Sequence, residues 1–257
     1  MKFRSIITSL SAVILLCGAL YSLPASSFII IPSGIDNSVY TGSQTLYKVE
    51  SSDEDFTLSD TASQKIVSIK SSGDKTTVLI NAGETVLKES SDLNIYLKNT
   101  QYLNTDKESI KKTAAKFKNS NDQVRDVSIF VYNHISDKKM GMPLISAVSI
   151  LTGKAGDCKE HSILTISILR TLQIPARAVM GMILTDEFSG EKHVFVYHMW
   201  AEAYYKGKWV LVDSTRPMDT HPNRYIALAY HNLMTEAPSE YLRAISTMQD
   251  MKITRVR

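Results

Sequence analysis

Apolar and polar positions change rhythm along this chain. Residues 6–23 form an uncharged apolar run behind Lys2 and Arg4. Residues 44–100 are rich in Ser, Thr and Asp, broken by short apolar alternations. Within them, Ile66-Val67-Ser68-Ile69 and Val78-Leu79-Ile80 flank Ser72-Gly73-Asp74, which predicts a hairpin. Residues 86–87 and 93–97 read as further strands, so this stretch predicts a small β-rich unit.

The period then lengthens. Thr105 with Glu108 reads as a capping box that opens a Lys-rich helix to about Phe117, and Ser120 with Gln123 reads as another. Val124, Val127, Val131 and Ile135 share one helical face. Pro143 suits the first turn of a third helix running through Leu151, with Gly153 as its stop. Asp157 and Glu160 form an acidic capping box, which places Cys158 at the first helical position. The helix that follows is apolar around most of its circumference and stops before Pro175, so it is expected at the centre of the core. Strands are expected at 178–184, 194–205, 209–213 and 225–230. A terminal helix is expected from Pro238-Ser239-Glu240.

Composition narrows the class. The chain has 257 residues, enough for one or two domains with a real core. Hydrophobic residues at 44% and charged residues at 21% exclude a disordered chain. The formal charge is +3 and no Lys/Arg run exceeds two, which argues against nucleic-acid binding and against a polybasic membrane patch. Residues 1–27 read as an export signal, with Ala25-Ser26-Ser27 as cleavage site and Leu23-Pro24-Ala25 as a poorer one. The apolar run is also just long enough to remain as an anchor. A lipoprotein reading through Cys17 has Ile14 in place but Leu16 where a small residue belongs. The expected location is therefore the periplasm or outside the cell, with membrane attachment only through an uncleaved leader. Of the two cysteines, Cys17 and Cys158, the second alone survives leader removal, so it is either a buried inert thiol or a reactive one.

Cys158 sits where a thiol is easily activated. Free N–H groups and the positive end of the helix dipole favour thiolate, and the same groups can stabilise an oxyanion. A cysteine nucleophile needs a base, and the base needs an orienting group. The strand at 194–205 points His198, Trp200, Glu202 and Tyr204 to one face. If Lys206-Gly207 is a two-residue turn, Asp213 falls opposite Trp200 and diagonal to His198, within side-chain reach. A three-residue turn would send Asp213 to the other face.

These residues carry a resemblance. Gly156-Asp157-Cys158-Lys159-Glu160-His161-Ser162 resembles the nucleophile motif of the transglutaminase-like superfamily, and Ile174-Pro175-Ala176-Arg177 with Val179 and Gly181 resembles its continuation. His198-Met199-Trp200-Ala201-Glu202 resembles the histidine motif, and Trp209-Val210-Leu211-Val212-Asp213 the aspartate motif. The resemblance covers about residues 110–220. It implies an α+β fold with a papain-like (cysteine-proteinase-like) transglutaminase core and a small β-rich N-terminal domain. It further implies Cys158 as nucleophile, His198 as general base and acid, and Asp213 as the group orienting the imidazole. No tryptophan precedes Cys158 and no calcium-loop pattern appears, which argues against a calcium-gated crosslinker. Water is then the default acyl acceptor, and transfer to an amine stays open.

The expected organisation is a signal peptide at 1–27, a β-rich domain at 28–104, a transglutaminase-like domain at 105–235 and a helical tail at 236–257. The expected chemistry is acyl transfer from a peptide or protein amide, with no cofactor. Two rivals stand beside it. One is a catalytically silent exported binding or scaffold module. The other is a metal site built from Cys158 and His161 with His193 or His198. His161 reads more simply as a hydrogen-bonded packing histidine, Glu202 as structural or at the cleft rim, and Arg177 as the anchor of a loop or carboxylate. Trp200 and Trp209 suit the cleft or the core.

Overall fold

The computed structural model describes residues 29–87, 92–139, 143–231, 233–234 and 246–256. The expected leader and the expected helix start at Pro238 lie outside them. The chain is α+β. β1 (Ile29–Ile30), β2 (Gln44–Ser51), β3 (Gln64–Ser72) and β4 (Lys75–Gly83) lead into the helices α1 (Glu108–Ala115) and α2 (Gln123–His134). A short parallel pair, β5 (Asp137–Lys138) and β6 (Ala155–Gly156), brackets α3 (Ala147–Gly153). Helix α4 (Cys158–Thr171) follows, then β7 (Ala176–Phe188), β8 (Glu191–Tyr205), β9 (Lys208–Val212), β10 (Tyr225–His231) and β11 (Lys252–Arg255).

Two antiparallel sheets organise these elements. The first runs β1-β8-β7-β10, with β9 also paired to β8. Strand β8 is long enough to serve β1 at residues 195–196 and β9 at residues 201–205 along the edge away from β7. The second sheet runs β11-β2-β4-β3. The first and last described strands thus cross over: β1 joins the sheet of the second half, and β11 joins the sheet of the first.

Helix α4 packs on the first sheet. Every residue from Lys159 through Arg170 is buried. Its Ile163, Leu164, Ile166, Ile168 and Leu169 share a core with Ala176, Ala178, Met199, Ala201 and Ala203 of β7 and β8. The small alanines let the helix lie close to the strands. Each isoleucine or leucine buried there contributes about 1.5–3 kcal/mol. A second core fills the space between the sheets, where Tyr47, Val49, Val78 and Ile80 meet Met180, Met182, Leu184, Phe195 and Tyr197.

Several local expectations change. The hairpin at Ser72-Gly73-Asp74 forms, with Ser72 opposite Lys75 and Gly73 at φ +63°. Residues 86–87 are not a strand, and Leu93–Leu97 is a 3-10 helix started by Asp92, whose side chain accepts from the Asn94 N–H. Helix α1 starts at Glu108 with Lys107 at its N-cap position and no side-chain cap, and the Thr105 N–H, which Glu108 would have taken in a capping box, donates to Asn99 Oδ1. The cap of α2 is Asp122, which accepts from the Arg125 N–H, whereas Ser120 bonds Asp126. Pro143 precedes α3, whose cap is Ser146. The tail expected to be helical at 236–257 ends in β11, because Ile253 buries into the inter-sheet core while β11 pairs β2.

Candidate active site

The Gly156-Asp157 step launches α4. Asp157 is the N-cap: its side chain accepts from the Lys159 N–H at 2.9 Å and from the Glu160 N–H, while the Glu160 carboxylate accepts from the Asp157 N–H at 2.8 Å. A Cβ at Gly156 would lie 2.3 Å from Glu160 Cβ, so glycine is the residue that admits this turn. Lys159 folds its ammonium back onto Asp157 Oδ2 at 2.5 Å. Burial works against both charges, yet the pairing holds the Asp157 carboxyl below its ordinary range and raises the Lys159 ammonium. Glu160 is fully buried, and burial followed by the Asp157 charge pushes it up to about 7. Cys158 is half-buried at the first helical position. Asp157 occupies the next two N–H groups, so the first-turn donor left for a ligand is that of Cys158 itself.

The hairpin of β8 and β9 closes with two residues. Tyr205 pairs Lys208, and Lys206 and Gly207 both have positive φ, at 52° and 83°. Asp213 therefore follows β9 in register opposite Trp200. Its Oδ2 lies 2.7 Å from His198 Nε2, and its Oδ1 accepts from the Thr215 N–H at 2.9 Å and the Thr215 hydroxyl at 2.7 Å. The Tyr225 hydroxyl, from β10, donates to the same Oδ2 at 2.8 Å. Asp213 is 2% exposed, so these donors replace its lost water.

The charges follow from the pairing. Burial would strip the proton from His198, but the Asp213 carboxylate overrides it and a hydrogen bond with Cys158 adds to the effect, raising His198 to about 10. Burial likewise opposes the charge on Asp213, and His198, Thr215 and Tyr225 hold it well below the carboxylate range. Since Nε2 faces Asp213, Nδ1 is the ring nitrogen directed at Cys158. Two hydroxyls fix α4 to this hairpin. Ser162 donates to the Met199 carbonyl at 3.0 Å, and Thr165 bonds Ser214 at 2.6 Å. Each bond lands on the chain neighbour of a site residue.

The remaining candidates have other duties. His161 Nδ1 bonds the Asp157 carbonyl at 2.6 Å and its Nε2 meets the Lys138 ammonium at 2.9 Å. Burial lowers His161 to about 4, so it is neutral. His193 bonds Tyr40. Among the described residues, no three His, Cys, Asp or Glu side chains are grouped to hold a metal. Trp200 and Trp209 are fully buried core residues. Glu202 is buried rather than at a rim. Its Oε2 accepts two N–H bonds from Arg177 and its Oε1 accepts from the Ala62 N–H, tying the first half of the chain to β7 and β8. Sequence reasoning missed Tyr225, since a tyrosine opening an apolar strand looks like any core aromatic. It also missed the hydroxyls of Ser162 and Thr165, which stand at a three-residue spacing among the apolar residues of the helix. A groove of about 340 Å³ runs along β9 between α2 and residues 217–220; Asp213 is on its wall but Cys158 and His198 are not.

Comparison with known proteins bears on the fold. No curated protein matches the chain. Among solved structures, a candidate cysteine protease from Cytophaga hutchinsonii is similar at a TM-score of 0.51 and 18% identity, covering 82% of this chain and 83% of that one. The periplasmic domain of TgpA from Pseudomonas aeruginosa is similar at a TM-score of 0.50 and 16% identity, covering 72% of this chain and 75% of that one. At such identities the likeness is one of fold. The family model for the transglutaminase-like superfamily matches residues 105–214, the span that carries α1 to α4, β7 to β9, Cys158, His198 and Asp213. Residues 105–214 of this chain therefore match the transglutaminase-like superfamily.

Proposed function

We propose that this protein is a thiol-dependent amidase or peptidase acting on a peptide or protein amide. The observation that carries the reading is the division of the His198 ring: Nε2 is held by Asp213 at 2.7 Å, which leaves Nδ1 for Cys158. In this reading Cys158 Sγ, as thiolate, attacks the amide carbonyl carbon, and the Cys158 N–H stabilises the oxyanion. The tetrahedral intermediate collapses as the imidazolium gives its Nδ1 proton to the leaving amine, and a thioester remains. Water then attacks the thioester, His198 takes its proton, and the carboxylic acid leaves as the thiolate returns. Asp213 keeps the imidazole in one tautomer and orientation throughout. An amine in place of water gives transamidation by the same steps.

The unit we assign to this chemistry is residues 105–235, preceded by the β-rich region. The basic and then apolar composition of residues 1–27 supports export, with membrane attachment if the leader is kept. The test is alkylation by iodoacetamide across pH, wild type beside His198→Ala, followed by turnover of peptide amides. Rapid labelling of Cys158 near pH 6, where a free thiol with pKa about 8.5 is protonated, should be lost in the variant. Labelling that rises only with free-thiol ionisation and ignores His198→Ala would leave a silent binding module.

A further inference from the structure

The Asp213 carboxylate is approached from two strands. His198 Nε2 and the Tyr225 hydroxyl both bond Oδ2, at 2.7 and 2.8 Å, while Thr215 holds Oδ1. Tyr225 is fully buried, its ring 5.2 Å from Trp200 in an edge contact and 6.2 Å from the His198 ring. It opens β10, beyond the residues that match the family model. Strand β10 reaches this position because of Gly181. A Cβ there would lie 2.2 Å from the Ile226 carbonyl oxygen and 2.8 Å from Trp200 Cη2. Backbone oxygen cannot yield that distance cheaply, so a side chain at 181 would push away the residue that follows Tyr225.

We infer that Tyr225 is a positioning residue for the His198–Asp213 pair: its hydroxyl fixes the plane of the carboxylate from the β10 side and shares Oδ2 with the imidazole, so that Asp213 grips the His198 proton less tightly. Two donors on one oxygen divide its charge. A charge-assisted bond lost from one donor strengthens the bond to the other. An orienting carboxylate that bound the imidazolium without a competitor would make His198 a poorer acid toward the leaving amine, since proton transfer is efficient when donor and operating pH are matched. The titratable groups that act on Asp213 are His198 from β8, Tyr225 from β10 and, farther off, His161 from α4, while Arg216 and Arg224 from the connecting segment act on Tyr225. Of these, His198 and Tyr225 touch Oδ2.

The test is a nitrogen-15 NMR titration of the His198 side chain in wild type and Tyr225→Phe. In the phenylalanine variant the Nε2–H signal should move downfield, and the imidazolium should lose its proton about half a pH unit or more higher. A purely structural aromatic would leave both unchanged in the folded variant, and that result would overturn the inference. Should Tyr225→Phe fail to fold, 3-fluorotyrosine placed at position 225 keeps ring and hydroxyl but is the stronger donor. It should move both quantities the opposite way, and no movement would overturn the inference. The inference rests on the triad reading only for its link to catalysis. Cys158 alkylation that ignores His198→Ala would remove that reading, whereas the NMR shifts report on Tyr225 alone.

Discussion

His198 and Asp213 stand 15 positions apart in the chain and 2.7 Å apart in space, and the turn at Lys206-Gly207 is the cause. Side chains alternate along a strand, so one residue more or less between them would send Asp213 to the opposite face. A single glycine inserted between Lys206 and Gly207 should leave α4 and the inter-sheet core in place, although Trp209 and Val212 of β9 change face together with Asp213. Cys158 alkylation near pH 6 should nevertheless fall to the level of His198→Ala. Circular dichroism checks the fold, and unchanged labelling in a folded insertion variant would refute the register argument.

The same pair gives stability a pH dependence. His198 is raised from 6.5 to about 10 by its surroundings, so its contribution is complete below about pH 6.5 and is lost as pH climbs toward 10. Asp213 is depressed, so its contribution is complete above about pH 4 and is lost only in strong acid. The plateau between them is where the ion pair is whole. Urea midpoints should fall between pH 6.5 and 10 in wild type. That fall should be shallower in His198→Gln, which has no proton to lose. Parallel curves for the two proteins would show that other groups govern the slope.

Much of this site was legible because it is local. The acidic capping box, the helix after it and the two-residue turn depend on residues a few positions apart, and each formed as its sequence indicates. The errors also have a local cause. Thr105, Ser120 and Pro143 suit helix starts, but α1 begins at Glu108 without a side-chain cap, and the neighbours Asp122 and Ser146 cap the other two helices. What stayed hidden is long-range. Nothing near Lys252 signals that β11 completes a sheet begun at β2, and nothing near Tyr225 signals that its hydroxyl reaches Asp213.

Glu160 offers a test of the turn that opens α4. Its Oε2 caps the Asp157 N–H, but its Oε1 has no partner among the described residues although the side chain is fully buried. Burial and the neighbouring Asp157 raise it to about 7, so above that pH an ionised carboxylate is forced into the site. The native state there prefers the proton, and stability falls as pH rises from about 4.5 to 7 on this account. Glu160→Gln keeps the cap acceptor without the charge. It should match wild type near pH 5 and melt higher at pH 8.5. A lower melting temperature at pH 8.5 would mean that the helix end needs the negative charge more than burial opposes it.

Arg177 supports one of the links between the two halves of the chain, through Glu202. Its Nε and Nη2 bond Glu202 Oε2 at 3.0 and 2.8 Å, and its guanidinium lies 4.0 Å from the Trp209 ring centroid and 3.9 Å from that of Tyr230. Glu202 is fully buried, and its other oxygen accepts from the Ala62 N–H. Burial pushes this carboxyl upward even with the guanidinium beside it. Removing the cation alone strands a buried carboxylate, so Arg177→Met should cost about 3–5 kcal/mol in urea unfolding. Removing both charges lifts that penalty. The double variant Arg177→Met with Glu202→Leu should recover most of the loss, less about 1–3 kcal/mol for the Ala62 N–H left without an acceptor. A double variant as unstable as Arg177→Met would locate the stabilisation in the stacking of the guanidinium on Trp209 and Tyr230.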